Sequence, residues 1–200
     1  MGGMAQDPID HAQQVAEVTA VLYEAFDLFG LSCTLVGGSA IEVHAPGIYK
    51  SSDIDVVIEI LTGARFAQVV SQVFDGLGFE PMGRHWVIGD LFVEVPSNEL
   101  FDPVQTVAVG HRYFQVLTKE ALLAYRIIGF KHWPHATSYG QQAIDMIAAF
   151  GEELDMAYLQ PRLENEDSYD AFVALKELAE SDDPVTDEIL TELLAKLTGS

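Results

Sequence analysis

The sequence predicts an α+β fold in which helices flank a mixed β-sheet and a small helical module completes the chain. Three patterns support this prediction. An amphipathic helix opens the chain, and β-favouring runs separated by glycine and proline breaks follow it. From Thr118 onward, apolar residues recur at helical spacing to the end. We therefore expect an α/β domain over residues 1–117 and a helical module, packed on it, over residues 118–200.

The N-terminal part alternates between helical and strand-like patterns. In residues 10–29, apolar side chains recur every three or four positions and Gly30 follows as a stop, which predicts a helix. A β-favouring run at residues 32–36 ends at a glycine turn and leads into a short helix at residues 40–44. A buried strand and a second long helix come next, at residues 54–58 and 63–77.

Two hairpins and then four helices are predicted in the remainder. The hairpin strands are residues 86–88 and 91–95, turning at Gly89-Asp90, and residues 105–109 and 113–117, turning at Gly110. The helices are residues 119–131, 138–151, 168–180 and 185–197. A polar segment that ends in Pro184 separates the last two helices.

Length and composition indicate a globular protein. Its 200 residues suffice for one full domain with an appendage. The single Cys33 excludes a disulfide scaffold, and its apolar strand makes it an expected core residue. No run approaches the roughly 18 apolar residues of a membrane span, and the first ten residues do not resemble a secretory signal. We expect a soluble cytoplasmic protein with no membrane partner.

The chain is strongly acidic. It carries 31 Asp and Glu residues against 10 Lys and Arg residues, for a net charge of -21. Such a field repels phosphate backbones and disfavours long nucleic acids as binding partners. About half of the excess lies in residues 151–200, where it fits a solvated helical surface or a partner-binding tail.

Asp53 and Asp55 are the first candidates for chemistry. If residues 53–58 form a strand, both carboxylates project from one face, about 7 Å apart. Two such anions repel each other unless a cation lies between them, and oxygen ligands favour Mg²⁺ or Mn²⁺. Mg²⁺ in proteins is commonly shared with substrate phosphates, so the pair predicts a metal-bound nucleotide. The alternative is a solvent-exposed acid pair.

Two further segments belong to the same predicted site. Gly37-Gly38-Ser39 joins a strand to a helix, where backbone N–H groups can approach a phosphate, although a tight turn alone also needs glycine. Glu94 alternates with aliphatic neighbours and faces away from them. It could bind a second metal ion, accept a proton from an attacking hydroxyl, or simply face solvent.

These motifs together resemble the signature of the nucleotidyltransferase superfamily, which has the DNA polymerase β-like fold. Leu35-Val36-Gly37-Gly38-Ser39-Ala40-Ile41 and Asp53-Ile54-Asp55-Val56-Val57 match its two segments, with fourteen residues from Ser39 through Ser52. Within the superfamily, the chain is most similar to small prokaryotic nucleotidyltransferases such as AbiEii-type toxins. The resemblance covers residues 32–95 well and the helical remainder in outline.

The resemblance implies a reaction and a set of roles. A nucleoside monophosphate would pass from a nucleoside triphosphate to an acceptor hydroxyl, with release of pyrophosphate. Gly37, Gly38 and Ser39 would hold the triphosphate, while Asp53, Asp55 and Glu94 would bind Mg²⁺ or Mn²⁺ and form the catalytic trio. Because the chain has few basic residues, Lys50 and Arg126 are further candidates for contacting the nucleotide phosphates, although ordinary surface or salt-bridge roles are equally open. A cognate protein antitoxin is a partner that the toxin resemblance suggests.

The sequence also departs from the AbiEii-like pattern. Tyr49 and Lys50 stand where an Arg usually precedes the acidic segment, and Arg126 stands where the first long helix usually has a Lys. Of the usual Asp-x-x-Asp pair, Gln142 replaces the first acid and Asp145 keeps the second. These departures leave open a catalytically silent module of the same fold that binds a nucleotide or a protein partner.

The acceptor is constrained only by charge. The acidic surface favours a small cationic molecule or a protein side chain over a long nucleic acid, unless high salt screens the field. His132 and His135 flank Trp133-Pro134, but the spacing and the lack of accompanying ligands do not predict zinc.

Overall fold

The computed structural model describes most of the chain in five stretches, which are residues 8–59, 64–96, 100–133, 136–181 and 183–199. The chain divides into two compact units, Met1–Thr118 and Lys119–Ser200. The first unit is mixed α and β, and the described part of the second is helical.

The first unit is built on a seven-stranded mixed sheet. Its strands are β1 (Ser32–Val36), β2 (Ile54–Glu59), β3 (Glu80–Met82), β4 (His85–Ile88), β5 (Leu91–Glu94), β6 (Val104–Val109) and β7 (Arg112–Leu117). They lie in the order β3-β4-β5-β2-β1-β7-β6. The β1–β7 and β2–β5 pairs are parallel, and the other pairs are antiparallel. This mixture confirms the predicted fold class.

Three helices accompany the sheet in the described part of this unit. They are α1 (Pro8–Asp27), α2 (Gly37–His44) and α3 (Ala64–Gly76). Helix α1 packs on β1 and β7, and its Phe26 meets Phe74 of α3 edge to face at 5.8 Å. Phe74 in turn stacks on Trp86 of β4 at 4.8 Å. These aromatic contacts pin α3 and β4 to the core that α1 covers.

The core of the sheet lies at its centre. Cys33 and Leu35 of β1 and Val56 and Ile58 of β2 are fully buried. The outer strand β3 is exposed at all three residues, and β6 is mostly exposed. The apolar runs that predict β1 and β2 therefore lie where the hydrophobic effect is strongest.

The second unit contains five α-helices in its described residues. They are α4 (Lys119–His132), α5 (Ala136–Phe150), α6 (Met156–Asn165), α7 (Tyr169–Ala179) and α8 (Asp187–Thr198), with a 3₁₀ turn at Gly151–Glu153. Helix α4 is buried on nearly all sides and packs on α5. Gly140 of α5 lets the ring of Phe130 approach closely, because a Cβ at this glycine would overlap that ring. No helix in the described stretches has the length and apolar composition needed to cross a bilayer.

The predicted elements are confirmed apart from boundaries and two omissions. Strand β2 begins at Ile54, so Asp53 lies just before it and not within it. Position 63 of the predicted helix 63–77 lies outside the described residues. The short β3 was missed because Glu80-Pro81-Met82 shows no strand alternation, and α6 was missed because Pro161 interrupts a polar sequence.

Candidate active site

The chain turns from β1 directly into α2 at Gly37, so the predicted glycine turn, Gly37-Gly38-Ser39, forms the first residues of that helix. Gly37 has a φ of 67°, a conformation that side chains disfavour. A Cβ at Gly37 would also overlap the Asp55 carboxylate on the neighbouring strand. Glycine is therefore required twice here, once by the backbone angle and once by the close approach of an acidic side chain.

Ser39 links this turn to the acidic segment from within the core. Its fully buried hydroxyl donates to the Val36 carbonyl at 3.2 Å and accepts from the Asp55 N–H at 3.3 Å. Because both bonds are internal, Ser39 holds the start of α2 against the start of β2. The nucleotide contact expected of Ser39 stays a prediction, and the structure adds that its hydroxyl also bonds to the backbone.

The segment leading to Asp53 packs on the same turn. Gly38 faces the Tyr49 ring, which a Cβ would overlap, and that Cβ would lie 3.1 Å from the Ser51 hydroxyl. Lys50, between these two residues, is exposed. The glycine turn thus supports the loop that carries the predicted phosphate contact.

Glu42 fixes this loop from below. The carboxylate is fully buried on α2, where one oxygen contacts His11 Nδ1 at 2.6 Å and the other accepts from the Ser51 N–H at 3.3 Å. A buried carboxylate is costly unless it is paired and hydrogen-bonded, and both of its oxygens are engaged here. Glu42 therefore joins α1, α2 and the loop before Asp53 into one support.

Strand pairing aligns the acidic residues across the sheet. Val36 pairs with Asp55, Asp55 with Glu94, and Glu94 with His85. Directly opposed residues on paired strands project from the same face of a sheet. Asp55, Glu94 and His85 therefore belong to one row on one face, and Asp53 lies two residues before Asp55.

Three of these side chains form a compact cluster. Asp53, His85 and Glu94 each offer a ligand atom within 4.8 Å of the others. His85 Nε2 lies 3.7 Å from Asp53 Oδ2 and 3.5 Å from Glu94 Oε2. Their side chains are 24%, 23% and 15% exposed, respectively, so solvent reaches the cluster. Asp55 is outside this trio, and its carboxylate lies beside Gly37.

Arg84 adds a positive charge at the rim. Its Nη2 lies 3.3 Å from Glu94 Oε2, and its side chain is 72% exposed. With Asp53, Asp55 and Glu94 ionised and His85 neutral, the five residues carry a net charge of -2. One divalent cation would balance that charge, and the carboxylate and imidazole donors suit such an ion.

Comparison with known proteins yields matches of fold. No protein-family model matches the sequence, and no curated protein matches it. The crystal structure of an antigenic nucleotidyltransferase-like protein from Paracoccidioides brasiliensis matches with a TM-score of 0.56. The match has 17% identity and covers 84% of this chain and 93% of that chain. This chain has a nucleotidyltransferase-like fold.

A second structure resembles the chain more loosely. The solution structure of the antibiotic-resistance factor ANT(2'')-Ia has a TM-score of 0.47 and 17% identity, covering 84% of this chain and 97% of that one. The narrower resemblance to AbiEii-type toxins stays a prediction.

Within the nucleotidyltransferase-like fold, His85 is the site residue that sequence reasoning missed. The signal was present, because the predicted hairpin turn at Gly89-Asp90 places Ile88 opposite Leu91. Counting outward along the same register places His85 opposite Glu94. Following the hairpin three pairs outward from Ile88 and Leu91 would have found this histidine.

The helical unit of the chain contains the other residues that the sequence singled out. Arg126 is buried with its guanidinium over the Tyr139 ring at 5.6 Å. Gln142 Oε1 is buried with no hydrogen-bond partner among the described residues, and Asp145 accepts from the Gln141 amide at 2.9 Å.

His132, near the end of α4, contacts the connection between α6 and α7. His132 Nε2 contacts the Glu166 carbonyl and the Ser168 hydroxyl, each at 3.1 Å. These contacts join α4 to the connection between α6 and α7. His135 and Pro134 lie outside the described residues.

Proposed function

We propose that this protein is a metal-dependent nucleotidyltransferase that transfers a nucleoside monophosphate from a nucleoside triphosphate to an acceptor hydroxyl. The observation that carries the proposal is the row formed by Asp55, Glu94 and His85, with Asp53 beside it and a glycine turn directly behind Asp55. The nucleotidyltransferase-like fold supports nucleotidyl transfer as the general kind of activity. The row of side chains provides the oxygen and nitrogen atoms that could bind a metal ion.

The acidic residues would hold divalent ions, Mg²⁺ or Mn²⁺, through carboxylate oxygens from β5 and from the start of β2. Bound there, such ions would screen the triphosphate and polarise its α-phosphoryl group. The first N–H groups of α2 would face the phosphates from the glycine turn, and exposed Lys50 would add positive charge. Buried Ser39 supports the turn from behind.

The chemistry then needs only an oriented acceptor. The acceptor oxygen would form a bond to the α-phosphorus while the bond to the bridging oxygen breaks and pyrophosphate leaves. A carboxylate of the site would accept the hydroxyl proton. The net charge of -21 favours an acceptor that is a small cation or a protein side chain.

A silent binding module is the second candidate, and Arg84 is the observation that favours it. Its guanidinium already pairs with Glu94, so a cation is present at the rim without a metal ion. An ion pair this exposed contributes about 0–1 kcal/mol, which coordination of a divalent ion can exceed. We therefore favour the enzyme.

Binding of triphosphates by calorimetry tests the proposal first. Each nucleoside triphosphate is titrated into the protein with Mg²⁺, with Mn²⁺ or with a chelator. We expect metal-dependent binding that Asp53→Asn and Asp55→Asn weaken at least tenfold. Asp90→Asn, an exposed acid on the β4–β5 turn, is the matched control and should bind as the wild type does.

Transfer is then measured with α-labelled triphosphates and a cell extract as the source of acceptors. A labelled product that requires metal and is lost in Asp55→Asn supports the enzyme. Metal-dependent nucleotide binding with no labelled RNA, protein or small molecule under any condition would support the silent module.

A further inference from the structure

We propose that His85 is a metal ligand and that its imidazole makes the centre selective for Mn²⁺ over Mg²⁺. This inference rests on the proposed function, because it concerns the same site. It adds a nitrogen donor to a set that sequence reasoning described as carboxylates alone. The consequence is a choice between two ions that carboxylates alone leave open.

The distances around His85 Nε2 fit shared coordination. Two ligands that are each about 2.1 Å from one ion lie roughly 3 to 4.2 Å apart, depending on the angle between them. The separations from Asp53 and Glu94 are 3.7 and 3.5 Å, inside this range. Both are longer than a normal hydrogen bond. The three donor atoms lie within 4.8 Å of one another, and the guanidinium of Arg84, 3.3 Å from the same Glu94 oxygen, would have to make way for the ion.

The hairpin holds the imidazole toward this space. His85 is opposite Glu94 on the paired strand, and its ring meets Phe92 edge-on with centroids 6.1 Å apart. The next residue, Trp86, stacks on Phe74. Because neighbouring strand residues project to opposite faces, anchoring Trp86 in the core directs His85 to the acidic face.

The donor atoms distinguish Mn²⁺ from Mg²⁺. Mg²⁺ takes oxygen ligands and keeps several waters, whereas imidazole is a common ligand of transition metals. Replacing one oxygen by His85 nitrogen thus weakens the site for Mg²⁺ relative to Mn²⁺. Solvent exposure of about a quarter of the His85 side chain leaves room for an ion to enter.

The test uses Mn²⁺ itself on the full-length protein. Pulsed electron paramagnetic resonance of bound Mn²⁺ detects ¹⁴N directly coordinated to the ion, and calorimetry compares the affinities for Mn²⁺ and Mg²⁺. We expect a ¹⁴N coupling and at least tenfold tighter binding of Mn²⁺ in the wild type. In His85→Gln the coupling should vanish and the preference should fall below about threefold. His111→Gln, on the β6–β7 turn, is the matched histidine control and should retain both.

Each result has one meaning. Bound Mn²⁺ without ¹⁴N coupling in the wild type, or a coupling that persists in His85→Gln, overturns the inference, and so does an absence of Mn²⁺ binding. The wild-type spectrum needs no variant, so misfolding of His85→Gln does not affect it. Nitrogen-coupled Mn²⁺ in a protein that shows no nucleotidyl transfer would contradict the proposed function and leave this inference standing. Nucleotidyl transfer that requires Asp55, with no ¹⁴N coupling to bound Mn²⁺, would contradict this inference and leave the proposed function standing.

Discussion

The candidate site is formed by two regions of the sheet that differ in burial. Strands β1 and β2 lie at the centre of the sheet and are almost wholly buried, and the acids at the start of β2 are aligned by that core. The β3–β5 segment is largely exposed or half-buried, and it positions His85 and Glu94 through strand pairing. One part of the site is therefore fixed by packing and the other by register.

The comparison predicts that the central part is the more sensitive one. The Asp55 carboxylate lies against Gly37, where an added Cβ would overlap it, whereas Arg84 in the outer part has a mostly solvent-exposed side chain. The following changes test that contrast, from the largest expected effect to the smallest.

Removing charge from Asp55 should have the largest effect on activity. We expect Asp55→Asn to lower nucleotidyl transfer by about 10²- to 10³-fold, the size of effect seen when one electrostatic group is removed from an active site. The Ser39 bond is made to the Asp55 backbone, so stability should change little. Steady-state transfer and urea unfolding measure the two effects. If Asp55→Asn unfolds at a clearly lower urea concentration than the wild type, the Asp55 carboxylate contributes to stability and the loss of activity does not by itself indicate a catalytic role.

Adding one methyl group at the glycine turn should have the largest effect on stability. Gly37→Ala introduces strain at a φ of 67°, which costs about 1–3 kcal/mol, and also overlaps the Asp55 carboxylate. Gly110→Ala measures the backbone strain without the overlap, because Gly110 has a φ of 59° and open space around it. Urea unfolding should show a larger loss for Gly37→Ala. Equal losses would show that the overlap is relieved at no cost.

The buried Glu42 tests the support beneath the central part. Glu42→Ala leaves the Ser51 N–H and His11 without this partner, and an orphaned buried group costs about 1–3 kcal/mol. Glu42→Gln can still accept from the Ser51 N–H and should lose less. Urea unfolding ranks the two variants. If Glu42→Ala is as stable as the wild type, Glu42 is not the joint between α1, α2 and the loop.

Changing Arg84 should affect binding more than stability. Arg84→Ala frees Glu94 from an exposed pair worth about 0–1 kcal/mol, so divalent metal should bind up to about fivefold more tightly. Arg112→Ala removes a similar pair with Glu24, also at 3.3 Å, and should leave metal affinity unchanged. Calorimetry with Mn²⁺ compares them. Weaker metal binding in Arg84→Ala would mean that Arg84 helps to assemble the site.

The last prediction concerns Cys33 in the central strand β1 and a change that is absent at neutral pH. Burial raises the pKa of its thiol from 9.0 to about 12, so the folded protein retains the proton more strongly than the unfolded chain. This contribution to stability is fully present below pH 9 and is lost as the pH rises toward 12. The stability of Cys33→Ala should therefore fall less steeply over that range in urea unfolding. Parallel slopes would contradict the prediction.

Sequence reasoning succeeded where packing and chemistry coincide. The strand before Gly37 and the strand after Asp53 are apolar because they are buried; the first ends at the glycine motif and the second begins at the acidic motif. The acids and the glycines could be found together for that reason. Glu94 followed from alternation along a single strand.

Other features depend on contacts that single-element patterns do not show. The Ser39 hydroxyl turns inward because two backbone groups meet it in the folded state. The position of His85 beside Glu94 depends on the pairing of two strands. The side chain of Arg84, on the turn before β4, contacts Glu94 only when these strands are paired. The contacts of Ser39, His85 and Arg84 depend on segments that are distant along the chain or on paired strands, so the periodicity of a single element does not predict them.

The alternation of side chains along the β4–β5 hairpin restricts how this protein can change length during evolution. Adding or deleting one residue between His85 and Glu94 would shift the pairing by one step and could turn a donor to the opposite face. The loop between α2 and β2 has no such alternation, so residues can be added or removed in it away from Tyr49 and Ser51, which lie against α2. Related chains should therefore vary in the second interval and preserve the first.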